Sequence, residues 1–271
     1  MAYTDKSVTA GTTYTYALRM TDADGNTVTS GSTSVTPSGS SIPSSTYANQ
    51  VRTDGASSYW RLDDPSSGTA VTDWAGSSDL VRSSGLGLGT TGAIGSDRAA
   101  TVNGSGSASA ASNTAFVRAP QTFSVEAWFK TTSTSGGQVV GFGDVPTGSS
   151  YRHDRQVYLS STGHVVYAVD QGTFKTATSP NAYNNGAWHH VVATLSSSGM
   201  VLYVDGAKVA SYSSVTSARN YGGFWRIGAD VLPGKTSTTS AYLSGAVDDV
   251  AVYPSALSAT QVKDHYTDSG R

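Results

Sequence analysis

FSVEAWFK, residues 123–130, decides the fold class. Phe123, Val125, Ala127 and Phe129 alternate with Ser124, Glu126, Trp128 and Lys130, the period of two that sends successive side chains to opposite faces of a β-strand. Outward from it, short runs of the same kind recur: QVVGFG (138–143), QVYLS (156–160), HVVYAV (164–169), WHHVVATL (188–195), MVLYVDG (200–206), FWRIGAD (224–230) and AVDDVAVY (246–253). Turns rich in Gly, Ser and Asn part them. Many short strands with almost no helical period predict an all-β protein, a two-sheet antiparallel sandwich or jelly roll. Only SALSATQVKDHY (255–266) reads as helix, with Ser255 or Ser258 as its cap and Val262 and Tyr266 on one face.

Composition supports this reading. Of the 271 residues 30 are glycine and none is cysteine, so disulfides, thiolate metal sites and cysteine nucleophiles are excluded. Glu126 is the one glutamate among 19 acidic residues; aspartate, glycine and serine supply turns, whereas helix surfaces favour glutamate. The formal net charge of -2 and the lack of a dense basic run speak against nucleic acid as a partner. With no long apolar stretch, neither a signal peptide nor membrane insertion is expected.

Upstream, residues 13–21 and 28–35 alternate around DADGN (22–26) and predict a β-hairpin whose aspartates serve the turn. The segment AGTTYTYALRMTDADGNTVTSGSTSVTP (10–37) resembles the end of a fibronectin type III domain, with its Y-x-Y strand before a D-x-x-G-N turn. The expected organisation is therefore a C-terminal part of such a domain over 1–37, a Ser/Gly/Pro linker over 38–46 and a main domain over 47–271.

Six motifs occur in order in the main domain: YWRLDD (59–64), DWAG (73–76), FSVEAWFK (123–130), WHHVVATL (188–195), VLYVDGAKVA (201–210) and GAVDDVAVYPSALSATQV (245–262). Together they resemble the laminin-G-like branch of the concanavalin A-like lectin/glucanase superfamily, as found in bacterial surface and secreted multidomain proteins. The resemblance implies a jelly roll with one concave sheet, a role in binding glycan or protein, a secreted or cell-surface location and neighbouring domains in the same parent chain. It also implies structural calcium. Asp248 stands in alternation with Val250 and Val252, where an unpaired charge would be costly. The family pattern puts a Ca²⁺ ligand at Asp248, with further ligands matching Asp63 or Asp64 and a carbonyl near Asn103-Gly104.

Trp128, Trp188 and Tyr203 lie within strands and read more readily as core than as sugar platforms. Strand alternation sends His189 and His190 to opposite faces, and likewise Asp248 and Asp249, so neither pair is expected to converge. A retaining glycosidase needs two carboxylates about 5 Å apart, and Glu126 has no carboxylate at its same-face neighbours Ser124 and Trp128. The expectation is a protein that is not an enzyme. Polar and aromatic groups cluster in YRHDR (151–155), NAYNN (181–185) and GGFWRIGAD (222–230), and Trp225, Asp230, Arg226, Asp154 and Arg155 are the expected ligand-binding residues for a polysaccharide or glycoprotein glycan. The bland alternative for these groups is ion pairing, Arg155 with Asp230 or Arg226 with Asp154. For the whole chain it is a structural or protein-docking spacer.

Overall fold

The structure is a computed structural model that describes residues 12–36, 45–105, 111–113, 115–233 and 241–271. The chain divides into two compact units, the division falling after residue 44.

In the first unit β1 (Tyr14–Tyr16) pairs with β4 (Thr33–Val35), and β2 (Arg19–Thr21) with β3 (Thr27–Thr29). This is the expected hairpin. Its turn consumes Asp22, whose carboxylate accepts from the N–H groups of Asp24 and Asn26 at 3.0 and 2.8 Å and from Asn26 Nδ2 at 3.0 Å. Gly25, at φ +85°, supplies the left-handed residue that closes it.

The second unit opens with α1 (Thr46–Thr53) and closes with α2 (Ala259–Asp268). Between them β5 (Ser58–Trp60), β8 (Leu86–Thr91), β9 (Arg98–Asn103), β12 (Phe123–Lys130), β17 (Trp188–Ser196), β18 (Gly199–Val204), β19 (Ala207–Tyr212) and β21 (Ser244–Tyr253) build one sheet. The other holds β6 (Ala70–Val71), β7 (Leu80–Arg82), β10 (Ala111–Asn113), β11 (Val117–Arg118), β13 (Gly137–Gly143), β14 (His153–Leu159), β15 (His164–Asp170), β16 (Phe174–Ala182) and β20 (Gly222–Ile227). Spatial order is β19-β18-β17-β12-β21-β9-β8 in the first, with β5 also on β21, and β16-β15-β14-β13-β20-β10-β7-β6 in the second, with β11 also on β20. Among the described residues every strand ladder is antiparallel, β12 lying between β17 and β21.

The alternation of β12 divides the interior into two layers. Phe123, Val125, Ala127 and Phe129 face the second sheet and join Trp60, Phe142, Tyr167, Trp225 and Val250 in the central core. Trp128 faces outward, yet is fully buried, because α1, α2 and the loop after β8 cover that side and form a second apolar layer with Tyr47, Tyr59, Tyr253 and Val262. Burying each such side chain is worth roughly 1.5–3 kcal/mol. Tyr203 belongs to the same layer and Trp188 packs against it.

The helices have local reasons. Ser258 caps α2, its Oγ accepting from Gln261 N–H at 3.2 Å while Gln261 Oε1 accepts from Ser258 N–H at 2.9 Å, a complete capping box. Ser258 is thus the cap rather than Ser255. The sequence pattern did not foretell α1, which is one short stretch capped by Ser45 and pinned by Tyr47, Ala48 and Val51. The expected linker ends early for this reason: its last two residues are the cap and the first helical residue, and residues 38–44 lie outside the described residues. No described helix is long and apolar enough to cross a membrane.

Candidate functional site

Strand alternation fails at one decisive place. Opposite the pair Glu126 and Trp128 of β12, β21 carries a bulge, and Asp249 sits at φ +46°. One extra residue turns the strand. Asp248 lies across from Trp128 on the outer, helix-covered side, not in line with Val250 and Val252, which point into the central core. Asp249, expected to face away from Asp248, instead converges with it and with Asp97 of the loop after β8: one oxygen from each of the three lies within 4.8 Å of the others.

Gly92 opens the space for this convergence, since a Cβ there would stand 2.1 Å from Asp97 Oδ1 and 2.7 Å from Asp248 Oδ2. Ala93 N–H donates to Asp248 Oδ2 at 2.7 Å, and Tyr59 Oη donates to Asp249 Oδ1. Arg61, 2% exposed, reaches Asp63 at 2.7 Å, Asp97 at 3.3 Å and Asp249 at 3.7 Å. Burial pushes Asp97 up to about 6. Burial, then mutual repulsion, raises Asp248 and Asp249 well above the usual carboxylate range.

Three aspartates thus share one guanidinium with Asp248 beside them, and Asp249 Oδ2 is buried with no hydrogen-bond partner. Hard oxygen donors, excess negative charge and an orphaned carboxylate oxygen fit a divalent cation such as Ca²⁺. Asp97, Asp248 and Asp249 would hold it, with Asp63 at the rim through Arg61. Two expected positions do not join them. Asp64 spends Oδ1 on Thr72, accepting from its N–H at 3.1 Å and its Oγ1 at 2.6 Å. Gly104, at φ +71°, lies against Ser244 where β9 ends. The glycine that matters is Gly92, and GAIGSD (92–97), small residues leading into an aspartate, was the available signal.

Glu126, also on the outer face of the first sheet, is fully buried and saturated. Oε1 accepts from Tyr47 Oη at 2.8 Å, His190 Nε2 at 2.7 Å and His265 Nδ1 at 3.0 Å; Oε2 accepts from Tyr253 Oη at 2.5 Å. His265 presents its other nitrogen to Asp54 Oδ2 at 2.9 Å, so both ring nitrogens face carboxylates and the ring is an imidazolium. Burial opposes that charge, but Glu126 and Asp54 outweigh it and raise the pKa of His265 to about 9. Glu126 is held well below its ordinary value: burial works against the carboxylate, and His265 and His190 override it. His189 points the other way, to Asp205 at 2.8 Å and Asn185 at 2.9 Å.

The five expected ligand-binding residues are all buried. Trp225 is 4% exposed and sits in the central core with its ring 5.2 Å from Phe142 and 6.2 Å from Phe123. Arg155 pairs with Asp154 at 2.7 Å, and Arg226 with Asp230 at 3.2 Å, the reverse of the anticipated partners. Asp154 also accepts from the N–H groups of Asp170 at 2.7 Å and Arg219 at 3.2 Å; burial pushes it to about 6 and lowers Arg155. Asp230 holds Ser150 through N–H at 3.0 Å and Oγ at 2.7 Å. These groups fasten loops to the second sheet and offer a ligand no free surface.

The accessible groups are their chain neighbours. Phe224, Gly143 and His153 stand side by side on β20, β13 and β14. On the outer face of the second sheet Phe224 meets Phe116, 68% exposed, at 5.7 Å, edge to face. Gly222 admits that ring, because a Cβ there would lie 2.1 Å from it. Across Gly143, His153 stacks on Phe174 at 5.2 Å and 24°. Two strand spacings separate Phe224 from His153, about 10 Å, with Ser150 and Asp230 over the glycine between them. The segments 151–155 and 222–230 do come together, but the partly exposed residues are one position away from those expected.

Two stacked antiparallel sheets, one roofed by helices and the other carrying aromatic groups on its outer face, define a jelly-roll sandwich of the lectin type. The chain belongs to the concanavalin A-like lectin/glucanases superfamily, whose laminin-G family model matches residues 103–263. Its fold is similar to that of the binding domain of Paraclostridial Mosquitocidal Protein 1 (TM-score 0.58, 14% identity, 79% of this chain and 52% of that one). It is also similar to domain 4 of AbnA, a GH43 extracellular arabinanase from Geobacillus stearothermophilus, in complex with arabinotriose (0.55, 16%, 78% and 97%). A third likeness is to Trypanosoma rangeli sialidase in complex with sialic acid (0.54, 13%, 77% and 32%). At these identities the likeness is one of fold. The chain spans about half the length of the mosquitocidal binding domain. No curated protein matches the sequence.

Proposed function

We propose that this chain is a noncatalytic carbohydrate-binding or adhesion module of a larger exported bacterial protein, placed at the cell surface or outside the cell. The observation that carries the reading is the pair of aromatic couples, Phe116 with Phe224 and His153 with Phe174, on one sheet face about 10 Å apart. Aromatic rings present flat apolar surface to the C–H faces of sugars, and this spacing suits an extended saccharide. The noncatalytic part rests on Glu126, whose two oxygens are buried and occupied by four side chains. The arabinotriose-bound domain of an arabinanase and the toxin binding domain lend the reading support from proteins of the same fold. A structural calcium at Asp97, Asp248 and Asp249 accompanies it, stiffening the opposite side of the sandwich.

The test is a broad glycan and cell-wall polysaccharide array in calcium and in chelator, with Phe224→Ala and Phe116→Ala beside the wild type. Expected is a glycan signal that either substitution lowers at least tenfold while the melting temperature stays close to the wild type. Silence of folded wild-type protein across the whole array would replace this reading by that of a structural or protein-docking spacer.

A further inference from the structure

Beyond the aromatic couples the second sheet ends at β16, and the first ends at β19; the two edge strands approach each other at the open side of the sandwich. A cleft of about 410 Å³ lies there, within the range of small-ligand sites. Phe174 and Tyr212 line it together with the amide of Gln171, over Val215, which is 4% exposed; Lys175 and Tyr212 lie opposite Val169 and Met200 of the central core, and so turn toward the gap between the sheets. Tyr212 is 50% exposed. Lys175 is the one charged residue among the lining, no carboxylate shares the cleft, and among the described residues Lys175 makes no ion pair. By contrast Arg219 of the neighbouring loop is already neutralised by Asp170 at 3.0 Å. Phe174 belongs both to the cleft and to the couple with His153, so the cleft opens where the aromatic row ends.

From this juxtaposition we infer that the cleft between β16 and β19 is a subsite for a carboxylate-bearing sugar, a uronic or sialic acid residue of the glycan. Lys175 pairs with the carboxylate, Tyr212 covers the apolar face of the ring, and Gln171 Oε1 accepts from a hydroxyl group. An amphipathic lining with a single unmatched cation selects an anionic ring over its neutral counterpart. The inference rests on the glycan-binding reading and adds to it the class of sugar and its place.

The experiment measures affinities of the full chain for oligosaccharides of galacturonate, glucuronate and sialate, each paired with its neutral methyl ester, by titration calorimetry. The variants are Lys175→Gln, Lys175→Arg, Tyr212→Ala and Phe224→Ala. Expected is a preference of tenfold or more for at least one acid over its ester, reduced to twofold or less by Lys175→Gln and kept by Lys175→Arg. Tyr212→Ala should weaken the acid and the ester together, and Phe224→Ala should lower overall affinity while leaving the ratio. All three positions are at least partly exposed, so the four variants are expected to fold. A protein that binds array glycans but shows no acid preference, or a preference that Lys175→Gln leaves unchanged, overturns the subsite and spares the glycan-binding reading. A protein that binds no glycan at all removes both.

Discussion

Replacing Glu126 by glutamine probes the outer layer of the first sheet at its centre. The substitution keeps the shape and removes the charge, leaving the His265 imidazolium with Asp54 alone and replacing one acceptor oxygen by a donor among four donors. Breaking a buried ion pair in this way costs about 3–5 kcal/mol. A domain of this size loses about 2–4 °C of melting temperature per kcal/mol, so a drop of about 6–20 °C is expected at pH 7. The pH dependence then separates charge from packing. His265 is raised from 6.5 to about 9, so its contribution is fully present below pH 6.5 and is lost as pH rises through 9. At 1.36 kcal/mol per pH unit this amounts to about 3 kcal/mol.

The gap between wild type and Glu126→Gln should therefore be widest near pH 6 and narrow by up to about 3 kcal/mol by pH 10. Urea unfolding followed by tryptophan fluorescence is a clean assay, because all five tryptophans lie within the sandwich. Curves for the two proteins that stay parallel from pH 6 to pH 10 would refute the imidazolium and with it the reasoning.

The acidic cluster makes the opposite pH prediction. Asp97 rises from 3.8 to about 6 in the fold, so without a cation its contribution to stability declines as pH rises from 4 through 6, and calcium should offset that decline. The calcium-dependent gain in melting temperature is expected to grow between pH 4.5 and pH 7 and to vanish in Asp248→Asn; a wild type indifferent to calcium at pH 7 refutes the site. Gly92→Ala, whose methyl would displace Asp97 and Asp248, should abolish the same gain, as scanning fluorimetry can show. Trp225→Ala leaves a core cavity and should cost about 3–5 kcal/mol, whereas Phe224→Ala next to it should cost under about 1 kcal/mol. Denaturation midpoints in the reverse order would put the wrong residue in the core.

The sandwich was readable because its evidence is redundant: each run such as FSVEAWFK or HVVYAV repeats the same period, and one misread strand leaves the rest in place. The sites were not, because they depend on phase. Asp249 at φ +46° and Arg155 at φ +49° each interrupt a ladder with a residue that is not glycine, so nothing in the local sequence announces the change of face. That is why Asp248 and Asp249 meet instead of parting; Phe224 and His153 are partly exposed because they take the outer face of their strands, one position from the buried Trp225 and Asp154. Pairing between oppositely charged residues is a further matter of three-dimensional distance: two arginines and two aspartates in two segments allow either arrangement, and the fold selects Arg155 with Asp154 and Arg226 with Asp230. The Glu126 hub draws Tyr47, His190, Tyr253 and His265 from four elements, and only its lone glutamate could have flagged it.

The contact of α1 with α2 brings the first and last elements of the sandwich side by side, with Asp54 at the end of one bonded to His265 of the other. The polypeptide therefore enters and leaves the domain by the same door, on the side away from the aromatic couples. A domain built in this way can be spliced into a surface loop of a host protein through two closely spaced joints. The same arrangement makes the doorway a mechanical weak point: a pull on the two ends loads the Asp54–His265 bond and the Glu126 hub before it loads any sheet ladder.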